Sequence, residues 1–307
     1  YSAKLSAAGT GNGEFDDVRG IAILSTDKVI VADENNERLQ RLSNALAFED
    51  KVGSVGTGDS QFSSNNGPYG VARDSTDRIY ASDRGNHRVH RYSSTFTGFT
   101  SLISGTDWSL QLTTGSIFNS LTLSDIGQVA VDSSGNVYFA DYTNSRLVKT
   151  DSSGVYVSSI TSLTNILGVC VDSSDNVYVA WGSGSAIIWK YNSSLVFQWA
   201  NTLSSASAIH AATDGTHVFY TTSLNTVRKI LCSTGANVTS WGSTGSGNGQ
   251  FSTPWGIDTD GTHVYASYHR YKPRAATERV NGVNRPDDPR AVRFHTRWFL
   301  PLELLPA

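Results

Sequence analysis

Apolar and polar residues alternate along this chain in short runs, and no stretch sustains the 3.6-residue period of an amphipathic helix. KVIVAD, RIYASD, NVYFAD, NVYVAW, HVFYTT and HVYASY end at Asp33, Asp83, Asp141, Trp181, Thr222 and Tyr268. Each is rich in Val, Ile or Tyr and follows a turn written STD, SSG, SSD or TDG. Period-two runs broken by such turns predict β-hairpins throughout.

The hairpins belong to a longer repeat. Its units are anchored at Gly20, Gly70, Gln128, Gly168, Ala208 and Gly256, which are 50, 58, 40, 40 and 48 residues apart. Three units open with a glycine-rich lead-in: AAGTGNGEFDDVRGI, GSVGTGDSQFSSNNGPYGV and GSTGSGNGQFSTPWGI. Every unit supplies three strands in its regular part. A fourth follows in more variable sequence such as ALAFEDKVG, VYVSSITSL, LVFQWANTL and ANVTSWGS. A four-stranded meander written six times predicts an all-β fold, a six-bladed β-propeller of antiparallel blades. The opening YSAKLSAAG matches an outer strand, so this N-terminal strand is expected to complete the last blade and remove its open edge.

The GSGNGQF...P.GI lead-in, the VD..GNVYVAD hairpin and the D..N.R loop closely resemble NHL repeats, over residues 1 to about 268. The resemblance implies a propeller and selects no function, since one fold hosts many.

The lead-in residues have mechanical roles. Gly242, Gly245, Gly247 and Gly249 suit turns at positive φ. Phe15, Phe62 and Phe251 are the apolar side chains of their lead-ins, and burying each between blades would contribute roughly 1.5 to 3 kcal/mol. The glycine spacing also suggests a phosphate loop, but a strand rather than a helix follows it. The D..N.R sets are Asp33, Asn36 and Arg38; Asp83, Asn86 and Arg88; and Asp141, Asn144 and Arg146. They are expected to close the loop between second and third strands, Arg pairing with Asp. Units four to six lose the set, through drift or because one half of the ring is specialised for a ligand.

Composition narrows the partners. A net charge of -3 and a pI near 6.2 give no field for nucleic acid, and no apolar run is long enough to insert in a membrane. Cys170 and Cys232 lie in apolar strands and read as buried free thiols. The propeller is taken as residues 1–272. After Tyr268 basic residues and prolines replace Ser, Thr and Gly, so 273–307 read as an atypical tail: either a native linker with a basic patch or, fitting the sudden break better, an out-of-frame or added end, which is expected to be poorly ordered.

In a meander, the lead-ins and the loops between second and third strands emerge on one face, the expected ligand surface. It would present Asp17, Arg19, Asn66, Tyr69, Arg84, His87, Asp125, Tyr142, Trp181 and Trp255, with His210 on an inner strand near the channel. Asp16 and Asn65 belong to the same loops. Aromatic rings beside Asp and Asn suit a protein, peptide or glycan. The leading reading is a non-catalytic binding module without cofactor, a monomeric propeller within a larger protein. Low charge and the sequons at Asn192 and Asn237 suggest the cell surface or exterior. The competing reading follows from the resemblance: peptidyl-amidoglycolate lyases are NHL-related propellers that hold zinc with histidines from several blades. Here His217 and His263 occupy DGTH turns on the opposite face, His87 and His90 flank Arg88, and His269 and His295 follow the break. Only His210 is placed for a channel site, so no metal ligand is assigned.

Overall fold

The computed structural model describes residues 9–64, 66–96, 100–103, 123–182, 185–204, 206–245, 249–268 and 293–296. These form six sheets in which consecutive strands pair antiparallel, five of four strands and one of three. The inner strands are Val18–Ile23, Pro68–Arg73, Ile126–Val131, Ile166–Val171, Ala208–Thr213 and Pro254–Thr259, one for each of blades 1 to 6. Each packs beside the inner strands of both neighbouring blades, and the last packs beside the first. The ring therefore closes.

Blade 6 has Pro254–Thr259, Val264–Tyr268 and a third strand Arg293–Thr296 paired to Val264–Tyr268. Part of the atypical tail thus enters the blade. The expected closure of that blade by the N-terminal segment falls on residues 1–8, outside the described residues.

Strand register corrects one anchor. Val18, Pro68, Ile126, Ile166, Ala208 and Pro254 each pair with the last residue of the second strand or the equivalent position, Asp33, Asp83, Asp141, Trp181, Thr222 and Tyr268. Counting two residues on gives Gly20, Gly70, Gln128, Gly168, His210 and Gly256. In the fifth unit the anchor is therefore His210, not Ala208. SASAIHAAT carries no glycine to mark the place, so alternation alone slipped by one period of the pleat.

The anchors sit where neighbouring inner strands come closest. A methyl group at Gly256 would stand 2.2 Å from the carbonyl oxygen of Arg19, across the seam that closes the ring. One at Gly168 would meet the backbone of Ile209 at 2.7 Å. Gly256→Ala should therefore cost roughly 1 to 3 kcal/mol by overpacking, read as a lower urea midpoint with an unchanged slope. A stability equal to wild type would show that the seam can open without cost.

The lead-in phenylalanines are wedges, as expected. Phe15 packs among residues of blades 1 and 6, Phe62 among blades 1 and 2, and Phe251 among blades 5 and 6. All three are fully buried. Gly242 and Gly249 hold φ of +99° and +76°, the turn geometry anticipated for them. Cys170 and Cys232 are buried free thiols in one cluster between blades 4 and 5.

Candidate functional site

The D..N.R residues make a cage that fixes the lead-ins. In blade 1, Asp33 accepts from the Asp16 amide at 2.7 Å, from Asn36, and from Arg38 Nε at 2.8 Å. The rest of the Arg38 guanidinium donates to the carbonyls of Thr10, Gly11 and Glu14. Blade 2 repeats this with Asp83, Asn86 and Arg88, whose guanidinium holds the carbonyls of Thr57, Gly58 and Gln61. Blade 3 retains Asp141 with Asn144 and Arg146. The expected Asp–Arg pairing is present, and the clamp on the lead-in carbonyls adds to it. Because Asp16 and Ser63 amides reach these carboxylates, lead-in and second loop meet on one face.

On the opposite face, the hairpin aspartates cap their own turns and accept from buried tyrosines. Tyr80 pairs with Asp74, Tyr138 with Asp132, Tyr178 with Asp172 and Tyr265 with Asp260, all within 3.0 Å. His217 and His263 pair with Asp214 and Asp260 there, at 3.2 and 3.0 Å. These are satisfied turn groups. A cavity of about 440 Å³ opens at this end of the channel, walled by inner strands of all six blades through Ile21, Val71, Gln128, Val169, Ala211 and Ile257. Gln128 also bridges the strands: its Oε1 accepts from the Val169 and Ala211 amides, and its Nε2 donates to the Ala211 carbonyl.

The channel mouth on the lead-in face carries a different chemistry, built from two repeat positions. The residue after the first of each inner strand is Arg19, Tyr69 and Trp255 in blades 1, 2 and 6. The residue after the last of the second strand is Glu34, Arg84 and Tyr142 in blades 1, 2 and 3. Blades 4 and 5 place Leu167, Ile209, Gly182 and Ser223 at the equivalent points, so the charged and aromatic residues of the mouth come from blades 6, 1, 2 and 3. Glu34 is the member that sequence reading missed. It shares its repeat position with Arg84 and Tyr142, and that equivalence is the signal that could have found it.

At the centre lies the Tyr69 ring, fully buried, with two guanidiniums against it: Arg84 Cζ is 4.8 Å and Arg19 Cζ 5.9 Å from its centroid. Arg19 also covers Trp255 at 4.3 Å, and Arg84 lies 5.9 Å from Tyr142. Carboxylates orient both. Arg19 donates Nε to Glu34 at 2.5 Å and Nη2 to Asp17 at 2.7 Å, and Arg84 donates Nε to Asp125 at 3.3 Å. Burial pushes the Glu34 carboxyl upward, against the pull of Arg19. His210 lies beneath, its ring 5.4 Å from Tyr69 and 6.3 Å from Trp255. It is 1% exposed, and among the described residues neither ring nitrogen has a hydrogen-bond partner; nor has the Tyr69 hydroxyl. Burial, and then the charges of Arg19 and Arg84, hold the imidazole down to about 3, so it is neutral at physiological pH.

The structure therefore brings together Asp17, Arg19, Tyr69, Arg84, Asp125, Tyr142, His210 and Trp255. His87 joins them at the edge, its Nδ1 accepting from the Asp125 amide at 3.3 Å. Two expected members are elsewhere. Trp181 occupies the place in blade 4 that Asp33 and Asp83 hold in blades 1 and 2, so it turns into the packing of blades 3 and 4, 5.1 Å from Trp189. Asn66 is exposed at φ +61°, with its carbonyl accepting from the Gly85 amide, which is turn geometry. Asn65 lies outside the described residues. Among the described residues no group of three His, Cys, Asp or Glu side chains could hold a metal ion together.

A family model for the NHL repeat matches residues 65–92, the segment that runs from the second lead-in through the blade 2 cage. The chain is a β-propeller that carries an NHL repeat at residues 65–92. No curated protein matches it in sequence. Among solved structures this propeller is similar to a streptogramin B lyase, with a TM-score of 0.59 and 10% identity over 97% of this chain and 98% of that one. A virginiamycin B lyase from Staphylococcus aureus gives a TM-score of 0.55 and 12% identity, over 81% and 76%. A chain of a nidogen/laminin complex gives 0.58 and 13%, over 78% and 85%. At such identities the likeness is one of fold, shared by lyases and by a chain of a protein complex alike.

Proposed function

We propose that this propeller is a non-catalytic recognition module that takes a protein, peptide or glycan ligand at the channel mouth on its lead-in face. The observation that carries this reading is the layered set of Trp255, Tyr69 and Tyr142 with Arg19 and Arg84, each guanidinium oriented by a carboxylate yet partly open to solvent. The half-buried Trp255 and Tyr142 rings offer contact area at little entropic cost, Tyr69 backs them from beneath, and oriented guanidiniums supply directional donors. The nidogen/laminin neighbour is a propeller in a protein complex, which is compatible with such use. Its low charge and the exposed sequon residue Asn237 support a place outside the cell.

A second reading, a metal-dependent lyase or hydrolase at the channel, is favoured by one observation: a neutral, unpartnered His210 at the centre of a fold whose neighbours include two lyases. Two measurements divide the readings. On peptide and glycan arrays, Trp255→Ala should lose at least about tenfold in affinity for whatever the wild type captures, as an aromatic anchor does. Ligands held equally by the variant would remove the mouth from the binding reading. Elemental analysis of chelator-free protein should show no zinc or calcium difference between wild type and His210→Ala; stoichiometric zinc lost in the variant would install the enzyme reading instead.

A further inference from the structure

The channel mouth holds several hydrogen-bond donors that its own side chains leave unused. Arg84 uses only Nε in its pairing with Asp125, and Arg19 uses Nε and Nη2 on Glu34 and Asp17. Among the described residues, both Nη groups of Arg84 and Nη1 of Arg19 donate to nothing. Below them the Tyr69 hydroxyl is buried without a partner. His210 is neutral and so carries one N–H, again without an acceptor. Orphaned polar atoms at this depth are uncommon and costly, and they call for a partner that enters from outside. Three carboxylates, Asp17, Glu34 and Asp125, already face the guanidiniums. An incoming group must therefore be recognised by hydrogen-bond geometry and not by net field.

We propose that the mouth is a carboxylate subsite: a ligand carboxylate seats between Arg19 and Arg84 and accepts from their free Nη groups, from the Tyr69 hydroxyl and from the His210 N–H, while the ligand's apolar body rests on Trp255. A carboxylate has four lone-pair sites for this donor set and brings no proton that would be left unpaired. The ligand class is an organic acid with an apolar or aromatic body, either free or as the C-terminus of a peptide. The proposal rests on reading the mouth as a binding site and adds the chemistry that it selects.

The test uses isosteric pairs that differ only in the group proposed to be recognised. Full-length protein with 15N-labelled histidine is titrated with benzoate and benzamide, and with an N-acetylated Gly-Phe dipeptide as its free acid and its amide, following the His210 imidazole resonances. The acid of at least one pair should give a saturable shift and bind at least tenfold more tightly than its amide. Arg84→Gln should abolish that preference while leaving the circular dichroism unchanged, because Arg84 belongs to none of the apolar clusters between blades. Preference within the benzoate pair alone assigns a small free acid; preference within both admits a peptide terminus. Amides binding as tightly as the acids would overturn the carboxylate subsite and leave the binding face intact. No saturable shift with any of the four would likewise overturn the carboxylate subsite, and the binding face would then stand or fall on the arrays with Trp255→Ala.

Discussion

Asp83→Ala should be the most damaging single substitution in the molecule outside the blade interfaces, lowering stability by roughly 3 to 5 kcal/mol. Asp83 is fully buried and accepts from the Ser63 amide at 3.0 Å, from Asn86 at 2.8 Å and from Arg88 Nε at 2.9 Å. It also takes a bond from His90 Nε2 at 3.3 Å, while His90 Nδ1 accepts from the Tyr92 hydroxyl, an arrangement that fixes one tautomer. Burial alone would raise this carboxyl. Bonds from His90, Ser63, Asn86 and Arg88 outweigh it and hold Asp83 below its ordinary range. Removing the carboxylate leaves the buried guanidinium without a counter-charge and releases the lead-in that seats Phe62, whose ring stacks on His90 at 4.9 Å. Asp141→Ala should cost less, because the Arg146 side chain is 16% exposed against 9% for Arg88 and water can replace part of what is lost. Urea unfolding of the two variants checks both the size and the order. A loss below about 1 kcal/mol for Asp83→Ala would mean that the cage does not lock the lead-in.

The contrast between cage and mouth shows what a single sequence exposes. Asp33, Asn36 and Arg38 recur at fixed offsets because every blade solves the same closure problem, so repetition reveals both the residues and their role. Fold, lead-in wedges and cage are legible for that reason. The mouth is the converse: it arises where equivalent positions differ, as Arg19, Tyr69 and Trp255 do. Listing the unusual residues on one face found most members, but their contacts cross blades and leave no spacing to read. Glu34 was missed, although it shares its repeat position with Arg84 and Tyr142. Trp181 was misplaced because a loop-end position that points to the cage in blades 1 to 3 faces the core when an indole occupies it. Gln128, an anchor that replaces glycine, carried a signal for the bridge to Ala211, yet only the closed ring brings those residues together. The third strand of blade 6 lay within an apparent composition break, since a short edge strand needs backbone partners more than any sequence pattern.

His210 should make the propeller sensitive to acid in a way that a glutamine at the same position would not. Its native proton affinity is held down to about 3, whereas in the unfolded chain it returns to its ordinary value near 6.5. The unfolded state therefore binds the proton first. Well above pH 6.5 neither state is protonated and nothing is lost; through pH 6.5 the fall steepens toward about 1.4 kcal/mol per pH unit and continues until the native imidazole itself titrates. By pH 4.5 the accumulated loss relative to neutral pH reaches roughly 2 to 3 kcal/mol. Other groups tilt the total profile: His90 is lowered by burial and adds to the fall, while Asp33, Asp141 and Asp258 are raised by burial and oppose it. The difference between wild type and His210→Gln isolates the one residue, and Gln128 shows that the channel accepts this side chain at an anchor. Urea unfolding at half-unit steps should give two curves that run parallel above pH 6.5 and diverge below it, the glutamine variant keeping the advantage. Curves that stay parallel down to pH 4.5 would mean that His210 is protonated in the native state, and hence that water or a counter-charge reaches the floor of the mouth without any ligand.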